Sequence, residues 1–118
     1  MKKKIRLEVK HLAPISVNKC WQGRRYKTRE YNIWRQQLEL LLPRQEMIEG
    51  EVEVEVRFWI KKYKQNDVDN FAKPFLDSLV RRGYIEDDRK IIKLTLEKFP
   101  TQGTPRIELG IKKYVKKS

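Results

Sequence analysis

The chain has 118 residues, with 28 Lys plus Arg against 16 Asp plus Glu, a net charge of +12 and a pI near 9.9. That length holds one domain with one modest core, and the charge implies a polyanionic partner, either nucleic acid or an acidic membrane surface. No apolar run approaches the ~18 residues of a membrane span, and Met1-Lys2-Lys3-Lys4 leads into an alternating stretch instead of a signal sequence, so no membrane partner and a cytoplasmic home are expected. Cys20 is the only cysteine and His11 the only histidine. They exclude an intrachain disulfide and a four-ligand zinc site, which leaves oxygen as the ligand for any metal.

Along the chain, Ile5, Leu7 and Val9 alternate with Arg6, Glu8 and Lys10, the period of a strand with one buried face. Residues 11–27 contain Pro14, Asn18 and Gly23 without periodicity and read as a long loop. Thr28 caps a helix running to Leu42, with Tyr31, Trp34, Leu38, Leu41 and Leu42 on its apolar stripe and Pro43 as the stop. Glu51 to Phe58 alternates Glu with Val and is the clearest strand, its glutamates on the open side. Trp59 then falls on the glutamate side, placed for a dimer interface or for packing under a helix.

After Lys61, Lys62 and Lys64, the spacing of Val68, Phe71, Phe75 and Leu79 predicts a second helix closed by Gly83 at its C′ position. Pro74 requires either a start near Lys73 or a distorted first turn. Ile92, Leu94 and Leu96, and later Ile107, Leu109 and Ile111, alternate as two further strands around a turn-rich PTQGTP segment. The order β-α-β-α-β-β predicts a single α+β domain spanning 1–118, with a mixed sheet and two helices.

The acids are distributed unevenly. All five aspartates lie between positions 67 and 88, where six acids meet only Lys73, Arg81 and Arg82, so the rest of the chain carries +15. Asp67 and Asp69 are one residue apart, which in extended backbone puts both carboxylates on one side. Asp87 and Asp88 are brought nearby if the intervening helix folds back, since ~13 helical residues span only ~20 Å. Crowded carboxylates repel and raise one another's pKa unless a cation sits between them. Magnesium suits such a site, because it takes carboxylate oxygen, keeps several waters and adds substrate phosphate oxygens. Lys73, at i+4 from Asp69 on a helix, would lie on the same face, able to contact a phosphate. Asp77 is expected to pair with Lys73 or Arg81, and Asn70 to shape the local turn.

Asp67-Val68-Asp69-Asn70-x-x-Lys73, then Leu76-Asp77-Ser78-Leu79, Gly83 and Asp87-Asp88, resembles the RusA family of Holliday-junction resolvases. Pro14-Ile15-Ser16-Val17-Asn18 and Arg24-Arg25-Tyr26 extend the likeness over most of the chain. The resemblance implies a homodimeric, Mg²⁺-dependent endonuclease, with Mn²⁺ the alternative ion, that nicks four-way DNA junctions in symmetric pairs. It also implies a bacterial, phage or prophage origin. Asp67, Asp69 and Asp88 carry over as metal-binding catalytic carboxylates, with Asp87 adjacent to them, and Lys73 as the essential lysine. A two-fold junction nicked twice independently favours two copies of one site.

Lys19, Arg24, Arg25, Lys27 and Arg29 surround Trp21 and Tyr26, a composition suited to phosphate contact and to stacking on exposed bases. Together with Lys61, Lys62 and Lys64 they form the expected DNA-binding set. Trp34 belongs to the core, and His11 and Cys20 have no catalytic partner. The alternative reading is a non-catalytic basic nucleic-acid-binding module, in which the acids only cap a helix and tune the surface.

Overall fold

The computed structural model describes residues 4–16, 19–22, 26–65 and 67–116. Four strands form a mixed sheet: β1 (Lys4–Lys10), β4 (Val52–Ile60), β5 (Ile91–Pro100) and β6 (Arg106–Lys113). Their spatial order is β1-β6-β4-β5. β6 is antiparallel to both β1 and β4, whereas β5 runs parallel to β4. The parallel pair needs a crossover, supplied by the segment that carries the acids. Helix α1 (Arg29–Leu41) and helix α2 (Ala72–Arg81) complete the order β-α-β-α-β-β.

Alternation decides which face is buried. Val54, Val56 and Phe58 lie level with Ile111, Leu109 and Ile107 of β6, and these with Ile5, Leu7 and Val9 of β1. That apolar face joins Tyr31, Trp34 and Leu38 of α1 and Phe75 and Leu79 of α2 in one core. Phe58 meets Phe71 and Phe75 with ring centroids 5.4 and 6.2 Å apart. The opposite face carries the glutamates, tied across strands by Lys112 to Glu53 at 2.8 Å and Arg57 to Glu97 at 3.3 Å. Trp59 stands on this open face, stacked on Phe99 at 4.8 Å and covered by the Arg106 guanidinium at 4.1 Å. It therefore does not pack under a helix.

Thr28 caps α1 as its sequence requires: its hydroxyl accepts from Tyr31 N at 3.1 Å. Leu42 is buried and Leu41 half exposed, because eleven residues past Tyr31 returns nearer to the starting azimuth of a 3.6-residue helix than ten does. The stretch 11–27 is not purely loop, for Trp21–Gln22 and Tyr26–Lys27 pair as the short strands β2 and β3. On β5, Ile92 and Leu94 are exposed, contrary to the alternation. β5 is an edge strand, and a register shift opposite Val52/Glu53 leaves Ile92 outside the ladder, so Ile91 and Leu96 pack on the core instead. No described helix is long and apolar enough to cross a membrane.

α2 solves its proline by starting just before it. A 3₁₀ turn, Val68–Phe71, precedes Ala72, so Pro74 falls in the first helical turn, where backbone N–H groups have no intrahelical acceptor. At the other end Gly83 adopts φ +80°. Its N–H reaches Val80 O and that of Tyr84 reaches Leu79 O, each at 3.0 Å, which is the Schellman closure. A Cβ at Gly83 would meet nothing within 4 Å, so Gly83→Ala carries only the left-handed backbone penalty. The expected loss is about 1–2 kcal/mol, read as a fall of several degrees in Tm; an unchanged Tm would contradict this cap.

Candidate active site

The acidic segment enters the site through the 3₁₀ turn. Asp67 occupies its N-cap position with extended backbone and no side-chain cap bond, and its carbonyl accepts from Asn70 N at 3.1 Å. Asp69 lies inside the turn, and its carbonyl accepts from Ala72 N. Extended backbone, from which the Asp67–Asp69 spacing is read, ends at Asp67, and the chain enters the 3₁₀ turn at Val68. Both residues are exposed. Among the described residues neither carboxylate has a hydrogen-bond or ion-pair partner.

Lys73, the second residue of α2, turns forward along the helix instead of back toward Asp69, since Asp69 precedes the α-helical register. Its Nζ sits 3.0 Å from Asp77 Oδ1 and 3.1 Å from Asp88 Oδ2. The pairing with Asp77 is the i,i+4 contact expected of helical spacing. The bond to Asp88 joins α2 to the 3₁₀ turn Asp88–Lys90 that leads into β5. Hydrogen bonds to Asp77 first and Asp88 second raise the Lys73 pKa above 10.5. Its ammonium is thus complete throughout the neutral range, and its contribution is lost only as pH rises through the raised folded value. A lysine so held is a cation or a proton donor, not a base.

Asp87 has a different task. It caps the turn that Asp88 begins, accepting from Arg89 N at 2.9 Å. That backbone bond, then a hydrogen bond with Asp88 and the Arg89 side chain, hold its carboxyl down at about 2. Lys73, Asp77, Arg81, Asp87 and Asp88 line an open depression of about 310 Å³. The turn bearing Asp69 packs on β5, the strand that Asp88 leads into, so both ends of the acidic segment meet the same strand. Among the described residues, however, no three of Asp, Glu, His and Cys come together as a metal-holding group. The donors stand as separate sets: unpartnered Asp67 and Asp69, and Asp88 joined to Lys73.

A scan against protein-family models matches endodeoxyribonuclease RusA over residues 7–112. The chain belongs to the RusA family. No curated protein matches it. Membership makes it an endodeoxyribonuclease of the kind that resolves Holliday junctions, in a family of phage and bacterial proteins. The RusA motif from Asp67 to Asp88 spans the turn, α2 and the entry to β5, so its spacing tracks one crossover.

Of the expected DNA contacts, Lys19, Lys27 and Arg29 are exposed around the start of α1, and Lys61, Lys62 and Lys64 are exposed after β4. Arg24 and Arg25 lie outside the described residues, as do Val17 and Asn18. Sequence reasoning missed the role of Arg81. Its guanidinium donates to Ser78 Oγ at 2.8 Å, Glu39 at 3.1 Å and Tyr31 at 3.5 Å, tying α2 to α1. Helical spacing offers Arg81 to Asp77, which Lys73 takes instead.

The Lys73 bridge predicts a titration. In protein carrying ¹³Cε-lysine, Asp77→Asn with Asp88→Asn should move the Lys73 resonance midpoint downward toward 10.5. A midpoint unmoved by the double substitution would show that these carboxylates do not hold the ammonium.

Proposed function

We propose that this RusA-family chain resolves Holliday junctions in the cytoplasm by Mg²⁺-dependent phosphodiester hydrolysis, as a homodimer making two symmetric nicks. The observation that carries the reading is the Lys73 ammonium joined to Asp88, with two exposed carboxylates that have no described partner on the turn leading into the same helix. All these donors are carboxylate oxygens, the chemistry that a hard divalent cation takes. Asp67, Asp69 and Asp88 would hold it, with Asp87 adjacent. A bound ion supplies an activated water and neutralises charge on the scissile phosphate.

The protein's own groups do the rest. Lys61, Lys62, Lys64 and Lys19 hold the backbone phosphates flanking the cut, with Lys27 and Arg29 extending the track. Lys73, protonated throughout the neutral range, exchanges a carboxylate oxygen for a phosphate oxygen and stabilises the charge that develops there. Asp77 keeps the ammonium in register during that exchange. Arg81 holds α2 against α1, so Lys73 and Asp77 sit on a fixed helix rather than on a loop.

Two nicks need two sites, and 118 residues carry one acidic segment. A two-fold pair of chains matches the two-fold symmetry of the junction. The alternative, a non-catalytic basic module, draws on the absence of an assembled three-carboxylate group among the described residues.

Cleavage separates the two readings. With Mg²⁺, a synthetic immobile junction should be nicked in paired strands, and a cruciform plasmid should be linearised within one binding event; EDTA should leave both bound and intact. Binding without nicks in Mg²⁺ would sink the nuclease reading, and accumulation of singly nicked circles would sink the paired dimer. Asp69→Asn should retain junction binding while losing nicking. Lys73→Ala should lower the nicking rate by roughly 10²–10³, the scale of one lost transition-state donor, with a smaller loss of affinity. Equal losses in both would reduce Lys73 to a phosphate anchor.

A further inference from the structure

Beside the acidic segment lies a cavity of about 280 Å³ whose apolar interior the chemistry above does not use. It sits where the loop after β1, the start of α1, the end of β4 and the segment before β6 converge. Buried Ile15, Ile60 and Phe71 form its apolar floor, and the rings of Pro14 and Pro105 stand at its sides. Its rim is cationic, with Lys19, Lys61 and Lys62 exposed. Glu30 is the one acid among them.

The walls are fixed before any ligand arrives. Trp34 Nε1 donates to Ala13 O at 2.7 Å, His11 N to Pro105 O at 3.1 Å, and Cys20 Sγ to Ser16 O at 3.4 Å. The volume lies just below the ~300–1,000 Å³ typical of small-molecule sites, which suits one planar ring system.

We propose that this cavity receives a single nucleobase, unstacked from the DNA strand whose phosphates lie on the lysine rim. The proposal rests on the endonuclease reading and deepens it, since it assigns a subsite for the substrate. An apolar floor with ring-bearing sides suits the face of a base, and the cations around the mouth suit the phosphates on either side of it. Glu30 repels a phosphate and accepts from the N–H groups of a base edge, so the base, not the backbone, enters.

Phe71 belongs to the same turn as Asp69, two residues later. The two side chains leave that turn in different directions, Phe71 into the core and Asp69 to solvent. The captured base belongs to the strand that passes the acidic turn. Such capture is easiest where stacking is already broken, at the crossover of a branched substrate. The cavity thereby couples cleavage to a branch in the DNA.

The test uses the full chain with Asp69→Asn, bound to an immobile junction in which 2-aminopurine replaces, one at a time, each base within three nucleotides of the crossover. One position should brighten at least threefold on binding. Ala13→Trp, which fills the mouth from an exposed wall residue, should remove most of that rise while the junction Kd changes less than fivefold; Pro105→Trp repeats the test from the opposite side. Should no position brighten on a bound junction that the unsubstituted chain still nicks, or should the rise persist in both filled variants, the base pocket is overturned and the nuclease reading stands. A junction neither bound nor nicked overturns both.

Discussion

One ammonium organises the acidic segment. Lys73 reaches Asp77 on its own helix and Asp88 on the turn that opens β5, and so joins the two sides of the crossover. Without a cation between them, carboxylates at this density would repel and lose charge. The single lysine between Asp69 and Asp77 lies at the point where that repulsion is relieved. Its side chain is 60% exposed, so its importance lies in position and charge, with little burial to add to the strength of the pair.

Everything around the bridge serves to hold α2 still. The helix is bounded by a 3₁₀ turn before Pro74 and by the left-handed Gly83 after Arg82, both backbone devices that fix where ten residues of helix begin and end. Phe75 and Leu79 anchor its inner face in the core, Phe75 edge-on to Phe58 of β4, while Arg81 ties it to Glu39 and Tyr31 of α1. The parallel pairing of β4 with β5 forces the chain to cross over between them, and the acids are placed on that crossing. A site built on a helix start and a strand entry is more rigid than one on a free loop.

Legibility in the sequence followed the range of the interactions. Several local signals were legible: the Thr28 cap, the Pro43 stop, the Gly83 closure and the Glu-Val alternation of β4 each depend on residues a few positions apart. Properties set by distant strands were hidden. Nothing near Ile92 or Leu94 indicates that β5 is an edge strand with a shifted register, and nothing near Arg81 points to Glu39, 42 positions earlier. The acidic motif was visible as a set of residues, but not its geometry. Extended backbone at Asp67 gives way to a 3₁₀ turn from Val68, and although helical spacing pairs Lys73 with Asp77, its reach to Asp88 spans 15 positions and leaves no local trace. The charge count singled out the segment because aspartate is confined to it, and composition carries that information without any contact map.

The account's central claim is that carboxylates at positions 67, 69 and 88, carried by the turn before α2 and the turn before β5, serve one divalent ion. Calorimetric titration of Mg²⁺ into the intact chain, and into Asp69→Asn and Asp88→Asn, tests it most directly. The account predicts one binding event that each substitution alone abolishes while the fold, followed by circular dichroism, persists. Unchanged Mg²⁺ binding in either variant would contradict it, because the two turns would then be acting apart.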